Sequence, residues 1–269
     1  MSKQNAFDQK KLAILQEINS DQLDLSPKGT IDVLCLPIID LINSSPDMVT
    51  TSSCSGRISV FIEGQKAING DVKVGGKGDG GVWLFVSHEF KDIDNWFDRT
   101  TASKNLNWVI DASNTKDIND DGSSSMILYK YEPFILHVKC RDFESASKLY
   151  NTAMACGFRE SGIGSNFIVA IRINIKLDVP IGYVKENGHL ALIVDPSYIT
   201  VLDRITKAKF IENEKKMTVL FAKIKSEIVE SPKDVNTQVK EETKEERRER
   251  KRREGLEKQR LLQQKQIGK

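Results

Sequence analysis

Thr50-Thr51-Ser52-Ser53-Cys54-Ser55-Gly56-Arg57 runs directly into Ile58, Val60, Phe61 and Ile62. Small hydroxyl side chains, a thiol, a glycine and an arginine are followed by β-formers. The pattern predicts a polar turn feeding a strand over residues 58–63. Gly56 can take a positive φ and lets a ligand approach the backbone closely. Arg57 offers a planar fork of donors suited to a carboxylate or a phosphate.

Outward from this stretch, apolar spacing predicts helices over Ala6–Ile18, Val33–Asn43, Asp92–Asn105, Phe143–Cys156 and Tyr198–Val229. Asp32 and Asp142 are placed to cap the second and fourth of these, and Gly157 to close the fourth. Strands are expected at Val82–Val86, Met126–Tyr131, Phe134–Cys140 and Phe167–Ile175, with one or two more in Pro180–Val194. The glycines of Gly75–Gly81 precede a strand, whereas a dinucleotide fingerprint follows one and opens a helix. A Rossmann cofactor fold is therefore not expected. The fold class is α+β, with mixed or antiparallel sheets and packed helices.

Two stretches share an order: helix, Ser-Gly, strand. One contains Ser55-Gly56, the other Ser161-Gly162. A duplicated unit over residues 31–90 and 134–195, with a cleft between the halves, is one reading, and chance alignment of common elements is the other.

The chain has 269 residues, 39% of them hydrophobic and 29% charged. That suits a globular body over residues 1–230 and a polar tail over 231–269. The net charge of +2 is uneven. From Thr237 onward 12 Lys and Arg face 7 Asp and Glu, leaving 28 against 31 in the remainder. The basic character therefore lies in the tail. MSKQNAFDQKK has no apolar run, and no stretch approaches a membrane span, so a secretory leader and a membrane partner are not expected. Cys35, Cys54, Cys140 and Cys156 form no metal-type pair. Free thiols, no bound metal and a cytoplasmic location follow.

TTSSCSGR, with SPKGTID upstream and WLFVSH, PFILHVKCRDFESA and GFRESGI downstream, resembles the wybutosine-synthesising methyltransferases that act at the third step of that pathway. The motifs keep their order from about Ser26 to Pro180. The resemblance implies an enzyme that uses S-adenosylmethionine to methylate a ring nitrogen of the tricyclic wybutosine precursor, 7-aminocarboxypropyl-demethylwyosine, beside the anticodon of tRNA-Phe. It maps the family's motif onto Ser53, Cys54, Ser55, Gly56 and Arg57. It also draws His88 and His137 forward as candidate bases, since both stand in matched motifs.

Such a reaction needs a clamp for an anionic group, a slot for flat rings and an RNA-facing surface. Arg57 and Arg172 are the candidates for the clamp, with Ser161 and Gly162 beside the second Ser-Gly step. Trp83 could stack on a base or simply pack in the core. Lys28, Lys77, Arg141 and Arg159 are candidate phosphate contacts, as are Arg247, Arg248, Lys251 and Arg252 in the tail; each could equally be a surface charge. Cys54 reads better as a small buried thiol than as a nucleophile, because no base stands beside it in sequence. Two other functions remain open: a non-catalytic tRNA-binding module, and an enzyme on a small phosphorylated substrate held by Gly75–Gly81.

Overall fold

The structure is a computed structural model, and it describes residues 5–18, 20, 29–64, 80–111, 118 and 124–230. By compactness the chain divides into Met1–Ser231 and Pro232–Lys269. In the first unit the elements run α1 (Ala6–Ile18), α2 (Leu36–Ser44), β1 (Met48–Ile62), β2 (Val82–Ser87), α3 (Trp96–Lys104), β3 (Trp108–Ile110), β4 (Met126–Cys140), α4 (Phe143–Ala155), β5 (Gly162–Ile163), β6 (Ile168–Arg172), β7 (Leu177–Val184), β8 (Leu190–Leu192) and α5 (Pro196–Ile224). One mixed sheet holds all eight strands in the order β2-β1-β4-β7-β8-β3, with β6 on β4 and β5 on β6. Among the described residues only the β3–β8 pair is parallel. The α+β, non-Rossmann expectation is borne out.

The predicted turn over residues 50–57 is corrected. It lies inside β1, a single strand of 15 residues. β-propensity reflects how well a side chain fits its neighbours more than any backbone preference. Here β4 runs alongside β1 for its whole length, from Met48↔Cys140 to Ile62↔Ile127, and supplies the pairing that the serines alone do not predict. The break expected at Pro133 is corrected for the same reason: β4 is continuous, with Pro133 opposite Gly56.

Both long strands change phase at that point. One core cluster takes Phe134, Leu136, Val138 and Cys140 from β4 and Met48 from β1. The other takes Ile127, Tyr129 and Tyr131 from β4 and Ile58 and Val60 from β1. The cluster positions of β4 run Ile127, Tyr129 and Tyr131 and then shift parity to Phe134, Leu136, Val138 and Cys140, with Pro133 also buried between them. In β1 the change falls between Ser55 and Ile58, at Gly56, which is itself buried. Gly56 has φ +112°, and a β-carbon there would lie 3.2 Å from Tyr131 Oη and 3.3 Å from the Glu132 carbonyl. Only glycine fits this bend without strain.

The long helix α5 crosses both clusters. Met217, Leu220 and Ile224 enter the first, and Ile199, Leu202 and Phe210 the second. At the second, Asp203 accepts hydrogen bonds from Trp96 Nε1 at 2.8 Å and Tyr129 Oη at 2.9 Å, tying α5 to α3 and β4. Asp142 caps α4 by accepting from the Ser145 amide at 2.8 Å. Gly157 follows that helix with φ +90°, as expected. The two Ser-Gly steps occupy different places: Ser55-Gly56 lies within β1, while Ser161-Gly162 opens β5.

Candidate active site

The phase change at Gly56 leaves the chain with a break to fill. Asn213 of α5, 2% exposed, fills it. Its Oδ1 accepts from the Phe134 amide at 2.8 Å, and its Nδ2 donates to the Ser55 carbonyl at 2.7 Å. A side-chain amide thus takes the place of a ladder rung between β1 and β4. Helical spacing marks the apolar positions of α5, so a buried Asn within it carries no sequence signal for this role.

Asp32 does not play the capping role expected of it. It stands at the N-terminal cap of a short 3-10 helix, Val33–Cys35, yet makes no capping bond there. Its carboxylate instead accepts from the Ser55 amide at 2.8 Å and the Ser55 hydroxyl at 3.1 Å. It is 7% exposed. His88 follows the last residue of β2, whose pairing with β1 ends at Ile58↔Ser87. That placement brings His88 Nε2 to 3.9 Å from Asp32 Oδ2. Ligand-type atoms of Asp32, Cys54 and His88 all lie within 4.8 Å of one another. Three segments far apart in sequence therefore deliver a carboxylate, a thiol and an imidazole to one point. These three are also the described residues that could together hold a metal ion. Asp32 is the last residue of SPKGTID, so the motif held the signal, although its cap-like position masked it.

Burial pushes the Cys54 thiol above its ordinary pKa, only partly offset by the Gly56 amide, and Asp32 pushes in the same direction as burial. The thiol is therefore neutral at physiological pH and poorly nucleophilic. Arg57 Nε donates to Glu132 Oε2 at 2.7 Å, and its guanidinium carbon lies 5.8 Å from the Trp83 ring centroid. Trp83 is half-buried and packs edge-on against Phe61 at 5.1 Å. Arg57 thus already has a carboxylate partner, which weakens its case as the clamp.

The second histidine sits in a different setting. Cys54 pairs with Ile135 and Ser52 with His137, so Ser52, Cys54, Ile135 and His137 share one face of the sheet. Ser53 and Ser55 lie on the other. His137 Nδ1 is 2.7 Å from Ser52 Oγ, and its Nε2 is 3.2 Å from Arg172 Nη2. A guanidinium can only donate, so Nε2 accepts and the proton sits on Nδ1. Burial, then the charge of Arg172, pushes this imidazole below its ordinary pKa and keeps it neutral. Both ring nitrogens are engaged. Ser161 Oγ accepts from the Arg172 amide at 3.1 Å, which brings the second Ser-Gly step to the same place.

The family profile described as methyltransferase TYW3 matches residues 9–226.

The chain belongs to the methyltransferase TYW3 family.

Among its relatives, the tRNA wybutosine-synthesizing protein 3 of Saccharomyces cerevisiae is 60% identical over 266 residues, 97% of each chain. The protein of the same name in Schizosaccharomyces pombe is 36% identical over 230 residues, covering 83% of this chain and 88% of that one. The solved structure of the PH1069 protein from Pyrococcus horikoshii superposes with a TM-score of 0.58 at 28% identity, covering 82% of this chain and 94% of its own. The family resemblance read from the sequence is borne out. As a member of the TYW3 family the chain is a methyltransferase and requires a methyl donor.

The remaining candidate residues of this TYW3 chain fall apart in space or lie outside the described residues. Arg141 is engaged within the fold. It donates to Asp8 at 2.6 Å, to Asp47 at 2.7 Å and to the Pro46 carbonyl at 3.0 Å, and lies 4.7 Å over the Phe7 ring. Arg159 is exposed. Lys28, Lys77, Arg247, Arg248, Lys251 and Arg252 lie outside the described residues, as does most of Gly75–Gly81. Among the described residues no helix is long and apolar enough to cross a membrane.

Proposed function

We propose that this chain is an S-adenosylmethionine-dependent N-methyltransferase acting on the tricyclic wybutosine precursor beside the anticodon of tRNA-Phe, with its reaction centre at the bend of β1. The observation that carries this reading is the convergence of Asp32, Cys54 and His88 beside Gly56, within the stretch that gives the family its signature. The relatives named for wybutosine synthesis, matching along nearly the full chain, support the substrate class.

The cofactor, when bound, supplies a methyl group that needs no further activation. The chain's part is alignment and proton removal. Alignment is worth several kcal/mol of the barrier as entropy already lost on binding. For the proton, His88 is the base rather than His137. His88 faces a buried carboxylate, which favours an imidazolium, whereas His137 faces the Arg172 guanidinium, which opposes one. As His88 takes the ring-nitrogen proton, Asp32 stabilises the imidazolium that results; such general-base catalysis is worth on the order of 10²–10⁴-fold in rate. Gly56 allows the tight bend that sets Cys54 beside Asp32 and His88, and Trp83 offers an aromatic face near Arg57. All four cysteines are free thiols, which fits the cytoplasm as the compartment. The basic tail beyond Pro232 is assigned to the RNA backbone.

The test is mass spectrometry of tRNA-Phe from cells lacking this protein. Accumulation of the unmethylated tricyclic precursor is expected, restored to product by the wild-type gene and not by His88→Ala. A normal nucleoside in the deletion strain overturns the assignment. Titration calorimetry with S-adenosylmethionine separates an enzyme from a module that only binds tRNA.

A further inference from the structure

Four arginines of the body are candidates for anionic groups, and the structure sorts them. Arg57 is paired with Glu132, and Arg141 with Asp8 and Asp47. Among the described residues Arg159 and Arg172 have no carboxylate partner. Of these two, only Arg172 is held in place by a side-chain hydrogen bond, and the group that holds it is uncharged.

Arg172 is fixed at both ends. Its amide donates to Ser161 Oγ and its carbonyl accepts from the Glu160 amide at 3.3 Å. Its guanidinium donates to neutral His137, which is oriented in turn by Ser52. A neutral partner orients the fork without cancelling its charge. Among the described residues one of its five donors is used, which leaves a pair for a planar or tetrahedral oxyanion.

Its position bears on the reaction centre. Cys54 pairs with Ile135, and Ile135 pairs with Arg172, so the three form one row across β1, β4 and β6 on the same face. At the usual spacing of strands the row spans about 10 Å. A flat ring at Cys54 and a charged group at Arg172 fit within one ligand.

We propose that Arg172, oriented by neutral His137 and Ser52, is an oxyanion-binding subsite that anchors the carboxylate or phosphate of a molecule whose reacting part lies at Cys54. Arg172 is the binding residue; His137 and Ser52 are positioning residues. The subsite rests on the reaction centre assigned above. A cofactor or substrate carboxylate and an RNA phosphate offer the same chemistry, and the test distinguishes them.

The full-length chain carries Arg172→Gln, His137→Ala or His137→Gln. Binding of S-adenosylmethionine and of precursor-bearing tRNA is measured separately, with circular dichroism to confirm the fold. Loss of a charge-assisted contact predicts a drop of about tenfold to a hundredfold for Arg172→Gln in one of the two. A loss confined to S-adenosylmethionine identifies the cofactor carboxylate. A loss confined to tRNA, with the salt slope lower by about one, identifies a phosphate. A loss confined to tRNA with an unchanged slope identifies the substrate's own carboxylate. His137→Ala should weaken the same ligand, while His137→Gln, which keeps an acceptor for the guanidinium, should recover most of it. Wild-type turnover tests the methyltransferase reading by itself. With turnover present, unchanged affinity of Arg172→Gln for both ligands overturns the subsite and leaves that reading standing.

Discussion

Asn213 and Ser55 are 158 residues apart in sequence, yet the Asn213 side-chain amide donates to the Ser55 carbonyl at 2.7 Å in a fully enclosed setting. The same amide accepts from Phe134, so one side chain satisfies a backbone group on each of the two central strands. It holds the bend that presents Cys54 and Arg57.

Replacing Asn213 with Leu removes both bonds and leaves a buried carbonyl and a buried N–H without partners. Each such group costs about 1–3 kcal/mol, so a loss of about 2–6 kcal/mol is expected in urea unfolding. Asn213→Asp should also destabilise, because a carboxylate cannot donate to Ser55. A change below about 0.5 kcal/mol for both variants would show that the ladder closes without the side chain.

Gly56→Ala places a β-carbon at φ +112°, 3.2 Å from the Tyr131 hydroxyl and 3.3 Å from Asn213 Nδ2. The backbone strain alone is about 1–3 kcal/mol. The expected result is a lower midpoint in thermal unfolding and loss of methyl transfer in the protein that remains folded. A variant with wild-type turnover would place the substrate away from the bend.

Cys54 should behave as a spectator thiol. Its raised pKa predicts alkylation at pH 8 slower than that of free cysteine, measured by intact mass. Cys54→Ser should keep methyl transfer within about tenfold, since nucleophilic catalysis is worth far more than that. A methylated or otherwise adducted Cys54 trapped during turnover would reverse this view.

His137 gives a pH signature with a defined sign. In the unfolded chain its imidazole takes a proton near the ordinary value of 6.5, whereas in the fold burial and Arg172 hold protonation to lower pH. Below 6.5 the unfolded state therefore binds more protons than the folded one. The stability associated with neutral His137 is complete above that pH and is lost as the pH falls through it. Urea unfolding of the wild type from pH 7.5 to 5.5 should show a steeper decline than His137→Gln. Parallel profiles would show that the imidazole is not held neutral.

Truncation after Pro232 removes a segment with a net charge of +5 beyond Thr237. The body should remain folded, and tRNA affinity should fall with a shallower dependence on salt. An unchanged slope would exclude the tail as an RNA contact.

The sequence shows best those elements whose signals are local. Asp142 and Gly157 bracket α4 where a cap and a stop were expected, and α1 matches Ala6–Ile18. It fails where distant partners decide. Thr50–Arg57 has turn-like composition but becomes a strand because β4 pairs with it, and β3 is a three-residue strand defined only by its parallel partner β8. The site divides the same way. His88, His137 and Cys54 are legible because their residue types are chemical and their motifs recognisable, and Arg172 by its residue type alone. Asp32 was hidden by a plausible local role. Asn213 and Glu132 were hidden because nothing nearby in sequence indicates that they meet Ser55 and Arg57.

The 29-residue span of α5 has a consequence for how the molecule comes apart. One rigid rod is shared by two oily nuclei, much as a single keel joins the two ends of a hull. Because the same helix packs in both, loosening one nucleus is expected to lower the stability of the other.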